Sequence, residues 1–353
     1  MYILFTIIFF LNIIYTQDCP AGEVEIWGLC YSIENTTILQ NSDNIYDEIP
    51  ETVCALNNLE ILDLSVMWGE TSYVSGEIPD CISDLLNLTY LDLSWNQLYG
   101  EIPENIGNLT NLTHLNLLKN QLTYEIPESI GNLINLTYLN FGFNYFYGEI
   151  PEAIGNLTQL QEFYITENQF TGSLPSSIGN LTELTMLSIF NNQLSGEIPE
   201  TIGNLINLVS LNAGVNQLEG TIPESIGNLV NLDRLWFSYN NLTGEIPESI
   251  CNLNNLIWSG DWIDGDYSYI NDNELCPEYP ECIEEYVGWQ NIENCPEFQL
   301  GDSNTDGEIN ILDIVIMINL ILSNNYDELA DTNQDGMIDV LDIIIIVDWI
   351  IDN

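Results

Sequence analysis

Two short stretches near the end of the chain carry oxygen-bearing side chains at spacings that could bind a metal ion. They read "GDSNTDGEINILD" from position 301 and "ADTNQDGMIDVLD" from position 330. A 12-residue calcium loop takes oxygen ligands from positions 1, 3, 5, 7, 9 and 12, and it turns at a glycine in position 6. Both stretches match this pattern, with Asp at position 12. The predicted Ca²⁺ ligands of the two sites are Asp302, Asn304, Asp306, Glu308 (carbonyl), Asn310 and Asp313, and Asp331, Asn333, Asp335, Met337 (carbonyl), Asp339 and Asp342.

Each loop runs into an apolar segment, "ILDIVIMINLIL" and "VLDIIIIVDWII". Both segments are shorter than the ~20 residues that span a bilayer, so they predict two helices that pack together. The duplicated loop and helix resemble the dockerin domain over residues 299–353. This resemblance implies a calcium-dependent partner of the cohesin type. Cellulosomal dockerins commonly carry a Ser-Thr type pair at loop positions 10 and 11, whereas this chain has Ile311–Leu312 and Val340–Leu341.

The middle of the chain repeats an Ile-Pro or Leu-Pro dipeptide every 24 residues from Ile78 onward. A fixed period of this length predicts a solenoid, because one unit cannot bury its own leucines. Alternating leucines predict a short strand in each unit, and a buried Asn amide can satisfy backbone groups at the turn after the strand. The asparagines in this register are Asn96, Asn120, Asn144, Asn168, Asn192, Asn216 and Asn240.

The repeat pattern L-x-x-L-x-L-x-x-N-x-L-x-G-x-I-P resembles the plant-type, 24-residue leucine-rich repeat over residues 47–258. The resemblance implies an α/β solenoid, a right-handed superhelix with disulfide caps, followed by the small all-α, EF-hand-like dockerin domain. The expected organisation is a signal peptide at 1–16, an N-terminal cysteine cap at 17–46, the solenoid at 47–258, a C-terminal cap or linker at 259–298 and the dockerin-like domain at 299–353.

All eight cysteines lie outside positions 82–250, which suggests two disulfide-stapled ends. Adjacent repeats are ~5 Å apart, within disulfide reach, so Cys54 is paired with Cys81. Cys19 is paired with Cys30. Cys251 is paired with Cys276 or Cys282, and the partner of Cys295 is left open. A zinc site is disfavoured, because the chain has no C-x-x-C pair.

An apolar run from Tyr2 to Tyr15 and the even cysteine count predict export, to the extracellular space or the cell surface, with no transmembrane span in the mature chain. The formal net charge of −52 argues against nucleic acid and anionic membrane surfaces as partners, and it favours metal cations. The repeated "GEIPE" segments place glutamates in columns on the convex side, where a solvated surface is the simplest interpretation. Asn-Leu-Thr glycosylation sequons also recur, and the repeat itself accounts for them.

In the strand pattern x-L-x-L-x, the residues between the leucines face outward on a concave sheet. The two permanent cations, the single histidine and several aromatic residues fall there or at the next position, as binding hot spots often do. The alternative interpretation is packing between neighbouring repeats. The candidate ligand-binding residues are Tyr90, Trp95, His114, Lys119, Tyr138, Tyr164, Phe190, Arg234, Trp236 and Tyr239.

These features predict an exported binding protein without catalytic activity, which recognises a protein or glycan through the concave sheet and is attached through its calcium-binding module. A serine triad would have to use the single histidine, His114, and paired carboxylates carry little information in a chain with 54 acidic residues. The dockerin resemblance implies an alternative, in which the chain is a non-catalytic accessory subunit of an extracellular assembly that degrades polysaccharides.

Overall fold

The computed structural model describes residues 19–40, 47–66, 73–259, 267–292, 295, 300–304, 308–323, 325–327, 329–333 and 335–352. The predicted signal peptide lies outside these residues, as do Asp306 and Gly307 of the first loop. The chain divides into two compact units. One comprises Met1–Asn273 with Tyr279–Trp289, and the other comprises Glu274–Glu278 with Gln290–Asn353.

The first unit is built on a nine-stranded parallel sheet to which each repeat contributes one short strand. Consecutive strands pair in register, so that Tyr138 lies between His114 and Glu162. The solenoid predicted from the 24-residue period is therefore confirmed. In chain order the strands are Ile38–Gln40, Ile61–Asp63, Tyr90–Asp92, His114–Asn116, Tyr138–Asn140, Glu162–Tyr164, Met186–Ser188, Ser210–Asn212 and Arg234–Trp236.

A second set of parallel strands and a row of 3₁₀ helices complete each coil. Five of these strands form one sheet: Ser75–Gly76, Gln97–Gly100, Gln121–Tyr124, Tyr145–Gly148 and Gln169–Phe170. Ser195–Glu197, Gln217–Gly220 and Asn241–Glu245 pair in the same way further along. The 3₁₀ helices are Glu51–Ala55, Asp80–Asp84, Ile106–Asn108, Glu128–Asn132, Glu152–Asn156, Ser176–Asn180, Glu200–Asn204, Glu224–Asn228 and Glu248–Asn252, with a further one at Glu284–Tyr286.

The glycine of the Ile-Gly-Asn segment is required by the close approach of neighbouring coils. A Cβ atom at Gly155 would lie 2.6 Å from the carbonyl oxygen of Ser177 in the next coil. Real Cβ atoms do not approach so closely, so a larger residue would force the coils apart. Cys54 and Cys251 occupy the corresponding position near the two ends of the repeat array.

Four disulfide bonds join all eight cysteines. Cys19–Cys30 and Cys54–Cys81 are the two pairs that the sequence predicted. Cys251 pairs with Cys282, one of the two partners left open, and Cys276 therefore pairs with Cys295. The disulfide Cys19–Cys30 links Cys19 to the second strand of the antiparallel hairpin formed by Glu23–Ile26 and Leu29–Ser32.

The second unit contains the strand Glu274–Cys276 and two helices, α1 (Ile311–Ser323) and α2 (Val340–Asp352). Met317 of α1, Ile346 of α2 and Ala330 between them are fully buried and form its core. Gly301 has a φ of 101°, and a Cβ there would lie 3.0 Å from the Trp349 ring. Among the residues described, no helix combines the length and apolarity needed to cross a bilayer.

Candidate ligand-binding face and calcium loops

The outward side chains of the nine-stranded sheet, together with the turn residue after each strand, form a surface that we call the sheet face. Tyr90, His114, Tyr138, Tyr164, Arg234 and Trp236 lie in its strands, and Phe190 lies two residues beyond a strand end. Trp95, Lys119 and Tyr239 occupy the turns, each with a left-handed φ of 58° or 59°. The structure thus brings the ten predicted residues to one face of the first unit.

A buried asparagine in each repeat positions these turns. Asn144 accepts a hydrogen bond from Leu122 N at 3.0 Å, and its amide donates to the carbonyls of Leu117 at 2.9 Å and Phe141 at 3.1 Å. The amide of one repeat therefore satisfies backbone groups of its own coil and of the preceding coil. This ladder holds the turns rigidly, because every buried backbone group it contacts has a partner.

Aromatic side chains stack along the first half of the sheet face. The His114 ring lies between Tyr90 and Tyr138, with centroid distances of 4.2 and 4.3 Å and interplanar angles of 7° and 9°. The ring centroids of Tyr138 and Tyr164 are 5.9 Å apart, and the two ring planes are tilted by 50°. Both faces of the His114 ring, and one face each of the Tyr90 and Tyr138 rings, are covered within this stack. A ligand at this stack would therefore meet mainly the edges of the rings, which disfavours stacking of a sugar ring on them.

The carboxylate beside this stack already has hydrogen-bond donors. Asp92 is buried, lies 3.8 Å from His114 Nε2, and accepts hydrogen bonds from Asn116 Nδ2 and Ser94 N. Burial alone would raise the pKa of Asp92, but His114, Ser94 and Asn116 together lower it below its ordinary value. Burial and the charge of Asp92 raise the pKa of Tyr90 to about 12. The stack therefore presents neutral tyrosines beside a fixed carboxylate.

The far end of the sheet face is held by the coil that follows it. The Trp236 indole donates to the Tyr267 carbonyl at 2.6 Å, and Arg234 Nε lies 3.9 Å from Asp233. Tyr239 is 46% exposed. Trp236 and Arg234 are therefore oriented by their own coil and its neighbours before any ligand binds, while Tyr239 is accessible.

Asn273 extends the asparagine ladder, although the sequence did not mark it as a ladder residue. Its Oδ1 accepts from Leu242 N at 3.1 Å, and its amide donates to the carbonyls of Phe237 and Ile270 at 3.0 Å. It lies in the segment assigned to the C-terminal cap, where Ser268 replaces the usual leucine and an insertion breaks the 24-residue period. The short motif Asn271-Asp272-Asn273-Glu274-Leu275 was the available signal.

The predicted glutamate columns line a groove on the flank formed by the second set of strands and the 3₁₀ helices. The groove encloses ≈ 870 Å³ and includes Glu101, Glu104, Glu125, Glu128, Glu149 and Glu152. Its walls also contain Tyr124 and Tyr147, which are 49% and 41% exposed. Stacked coils bring like charges close together along this flank, and the repulsion acts against the compact solenoid.

Added salt is therefore expected to raise the melting temperature of the solenoid. Between about 0.01 and 0.5 M NaCl the Debye length falls from about 30 Å to about 4 Å, which screens repulsion between neighbouring glutamates. The measurement is thermal unfolding followed by circular dichroism at constant, saturating calcium. A melting temperature that stays constant or falls would show that repulsion along the flank does not limit stability.

In the second unit, each predicted loop runs into a helix that begins at loop position 10. The Asp313 carboxylate accepts from the backbone N–H groups of Asn304 and Asn310, at 3.1 and 2.8 Å. Asp342 makes the equivalent contacts with Asn333 and Asp339, also at 3.1 and 2.8 Å. Position 12 thus closes both loops in the same way.

Several of the predicted ligands are buried carboxylates. Asp302 and Asp331 are 2% exposed, and Asp313 and Asp342 are fully buried. Burying several carboxylates close together is costly unless a cation offsets their charge, so this all-oxygen donor set fits Ca²⁺. The structure places Glu308, Asn310, Asn333, Asp335, Met337 and Asp339 in the loops; Asp306 lies outside the described residues. Within the described part of the chain, no three acidic, histidine or cysteine side chains form a metal cluster on their own.

Comparison with family models identifies both parts of the chain. A leucine-rich repeat region matches residues 72–171, and single leucine-rich repeats match 183–205, 207–229 and 231–253. A dockerin type I domain matches residues 300–348. The chain combines leucine-rich repeats with a C-terminal dockerin type I domain. Dockerin type I domains bind calcium, which supports Ca²⁺ as the ion of the loops.

Solved structures similar to the leucine-rich repeats include two plant receptors. The plant peptide hormone receptor RGFR1 in complex with RGF2 is 37% identical over 66% of this chain and 35% of that chain, with a TM-score of 0.60. The Arabidopsis receptor kinase HAESA, in complex with the peptide hormone IDA and the co-receptor SERK1, is 34% identical over 72% of this chain and 41% of that chain, with a TM-score of 0.64. The chain thus spans less than half the length of either receptor chain.

A plant ice-binding protein is also similar, at 27% identity over 71% of this chain and 74% of that chain, with a TM-score of 0.56. The comparison with curated proteins finds no match. Leucine-rich repeats of this type therefore occur in proteins with different ligands. The ligand of this chain must be argued from its own surface.

Proposed function

We propose that the leucine-rich repeats recognise an extracellular peptide or protein segment through the sheet face, without catalysis. The observation that carries this proposal is the row of aromatic side chains from Tyr90 to Tyr164 on successive strands. Well-packed aromatic side chains are typical of binding hot spots. RGFR1 is a peptide hormone receptor and HAESA is in complex with the peptide hormone IDA, and both similarities support a peptide over a glycan.

The dockerin domain is proposed to bind two Ca²⁺ ions and to attach the chain to a protein partner of the cohesin type, or to another component of the cell surface. At loop positions 10 and 11 it exposes Ile311 (70%), Leu312 (56%), Val340 (63%) and Leu341 (57%). Exposed aliphatic side chains favour an apolar partner surface. A second candidate function, as an accessory subunit of a polysaccharide-degrading assembly, is favoured by the dockerin match alone.

Substitutions on the sheet face test the peptide or protein proposal. The partner is first captured on immobilised full-length protein from an extracellular fraction of the source and identified by mass spectrometry, and its Kd is then measured. Tyr164→Ala and Trp236→Ala are each expected to raise this Kd about 30-fold, equivalent to about 2 kcal/mol for a hot spot.

Arg234→Ala is expected to act in the same direction, since the partner is proposed to reach Arg234, Trp236 and Tyr239. Tyr147→Ala and Glu149→Ala, on the glutamate-lined flank, are the controls and should leave the Kd unchanged. If the flank variants abolish binding while the sheet-face variants bind normally, the binding surface has been assigned wrongly. Capture of an uncharged polysaccharide in place of a protein would instead favour the accessory-subunit function.

A further inference from the structure

Lys119 is the only lysine in the chain, and a rigid turn holds it at the edge of the sheet. It follows the strand His114–Asn116, has a φ of 58°, and donates its backbone N–H to the Gly142 carbonyl at 2.9 Å. Phe143 occupies the same left-handed turn in the next repeat, with a φ of 54°. The two side chains are therefore neighbours in one column of the sheet face.

The Lys119 ammonium has no carboxylate oxygen within 4.0 Å among the described residues, although the sequence contains 54 acidic residues. Its Nζ instead lies 5.3 Å from the centre of the Phe143 ring. A cation in so acidic a chain gains energy from contact with a carboxylate. Lys119 makes no such contact with a described carboxylate, and its side chain is exposed.

An open groove of ≈ 430 Å³ lies beside Lys119, lined by Gln121, Phe143, Tyr145 and Glu167 together with three ladder asparagines. Phe143 and Tyr145 are 44% and 55% exposed and give the groove apolar walls. The asparagine amides are used by the ladder, so the side-chain donors that remain are Lys119, the exposed Gln121 and the Tyr145 hydroxyl. Glu167 follows two repeats further on, ~10 Å away at the usual strand spacing, and accepts from Asn191 Nδ2 at 2.7 Å.

We propose that this groove binds the C-terminal carboxylate of a peptide whose last side chain is apolar or aromatic. The proposal rests on the proposed function and names the end of the ligand that reaches this part of the sheet face. In a C-terminal residue the carboxylate and the apolar side chain share one Cα atom, so a single residue contacts Lys119 and the Phe143–Tyr145 walls. A C-terminal Asp or Glu would carry a second carboxylate in place of the apolar side chain. Glu167 repels a second negative charge.

The single lysine makes the test specific. Full-length, calcium-saturated protein labelled with ¹³C and ¹⁵N in lysine gives one set of lysine side-chain resonances. N-acetyl-phenylalanine is expected to shift them saturably, whereas N-acetyl-phenylalanine amide, which lacks the carboxylate, should not. N-acetyl-glycine and N-acetyl-aspartate methylamide, which carry a carboxylate without an apolar side chain, should bind at least about tenfold more weakly than N-acetyl-phenylalanine, since burying a phenyl group contributes more than 1.4 kcal/mol.

Phe143→Ala is expected to weaken the binding of N-acetyl-phenylalanine about tenfold, read from the same resonances, and Glu167→Gln should strengthen it. Tyr99→Ala, an exposed tyrosine outside the groove, is the matched control and should bind normally. Three results would overturn the proposal. They are equal shifts with N-acetyl-phenylalanine and its amide, equal binding of all the carboxylate probes, and the absence of any saturable shift. The proposed function still stands after any of these results if Tyr164→Ala raises the Kd of the captured partner.

Discussion

Removing calcium from the full-length protein is expected to unfold the two helices of the dockerin domain while the leucine-rich repeats remain folded. Asp302, Asp313, Asp331 and Asp342 are at most 2% exposed, and they repel one another once the cation is lost. A ligand present at 1,000 times its Kd stabilises the folded state by about 4 kcal/mol, which is comparable to the stability of a domain this small. Stacked repeats bury one another's leucines, so the solenoid does not depend on the metal.

Hydrogen exchange resolved by mass spectrometry checks this result segment by segment. With EGTA, peptides covering α1 and α2 should lose protection, and peptides covering Tyr90–Asp92 through Arg234–Trp236 should not. Asp342→Ala should reduce the calorimetric stoichiometry from two Ca²⁺ ions to one, and Asp348→Asn, on the exposed side of α2, is its control. Helix protection that is unchanged by the chelator would rule out metal-dependent folding.

Replacing a ladder asparagine is expected to cost about 3 to 5 kcal/mol of solenoid stability. Asn144 is 5% exposed, and Asn144→Ala removes the acceptor for Leu122 N and the donor to three backbone carbonyls. Leu122 N loses its acceptor, which costs about 1 to 3 kcal/mol for a buried group. Each of the three carbonyls keeps another donor but loses one hydrogen bond, and the alanine leaves a small cavity as well. The effect should be largest in the middle of the array, where coils contact the ladder from both sides.

The measurement is equilibrium unfolding in guanidinium chloride at saturating calcium. Asn132→Ala is the matched control, because Asn132 is exposed at the end of the 3₁₀ helix Glu128–Asn132 in the same part of the array. It is expected to change the free energy of unfolding by less than about 0.5 kcal/mol. Equal losses for the two variants would show that the ladder does not stabilise the coils.

The sequence was sufficient to predict the features that recur with a fixed period. Each repeat makes the same local contacts with its neighbours, so the pattern around Asn144 determines the strand, the buried amide and the turn wherever it recurs. The spacing of Asp331, Asn333 and Asp335 likewise predicts a calcium loop, because its ligands are close in the chain. Cys54–Cys81 was predictable for the same reason, since it joins positions in adjacent repeats.

Irregular segments could not be predicted, because no period relates them to a neighbour. Asn273 joins the ladder although an insertion separates it from Asn240, and its place depends on how that coil packs on the one before it. Cys251 had two candidate partners at similar distances along the chain, and only the path of the backbone through the C-terminal cap selects Cys282.

The orientation of side chains on the sheet face was decided by tertiary structure alone. The register of the repeats predicts that Tyr90, His114 and Tyr138 are neighbours, but their mutual stacking depends on rotamers set by the packed coils. The sequence also placed Lys119 on this face. That its ammonium contacts the Phe143 ring and no described carboxylate follows from distances between repeats, which a linear pattern does not contain.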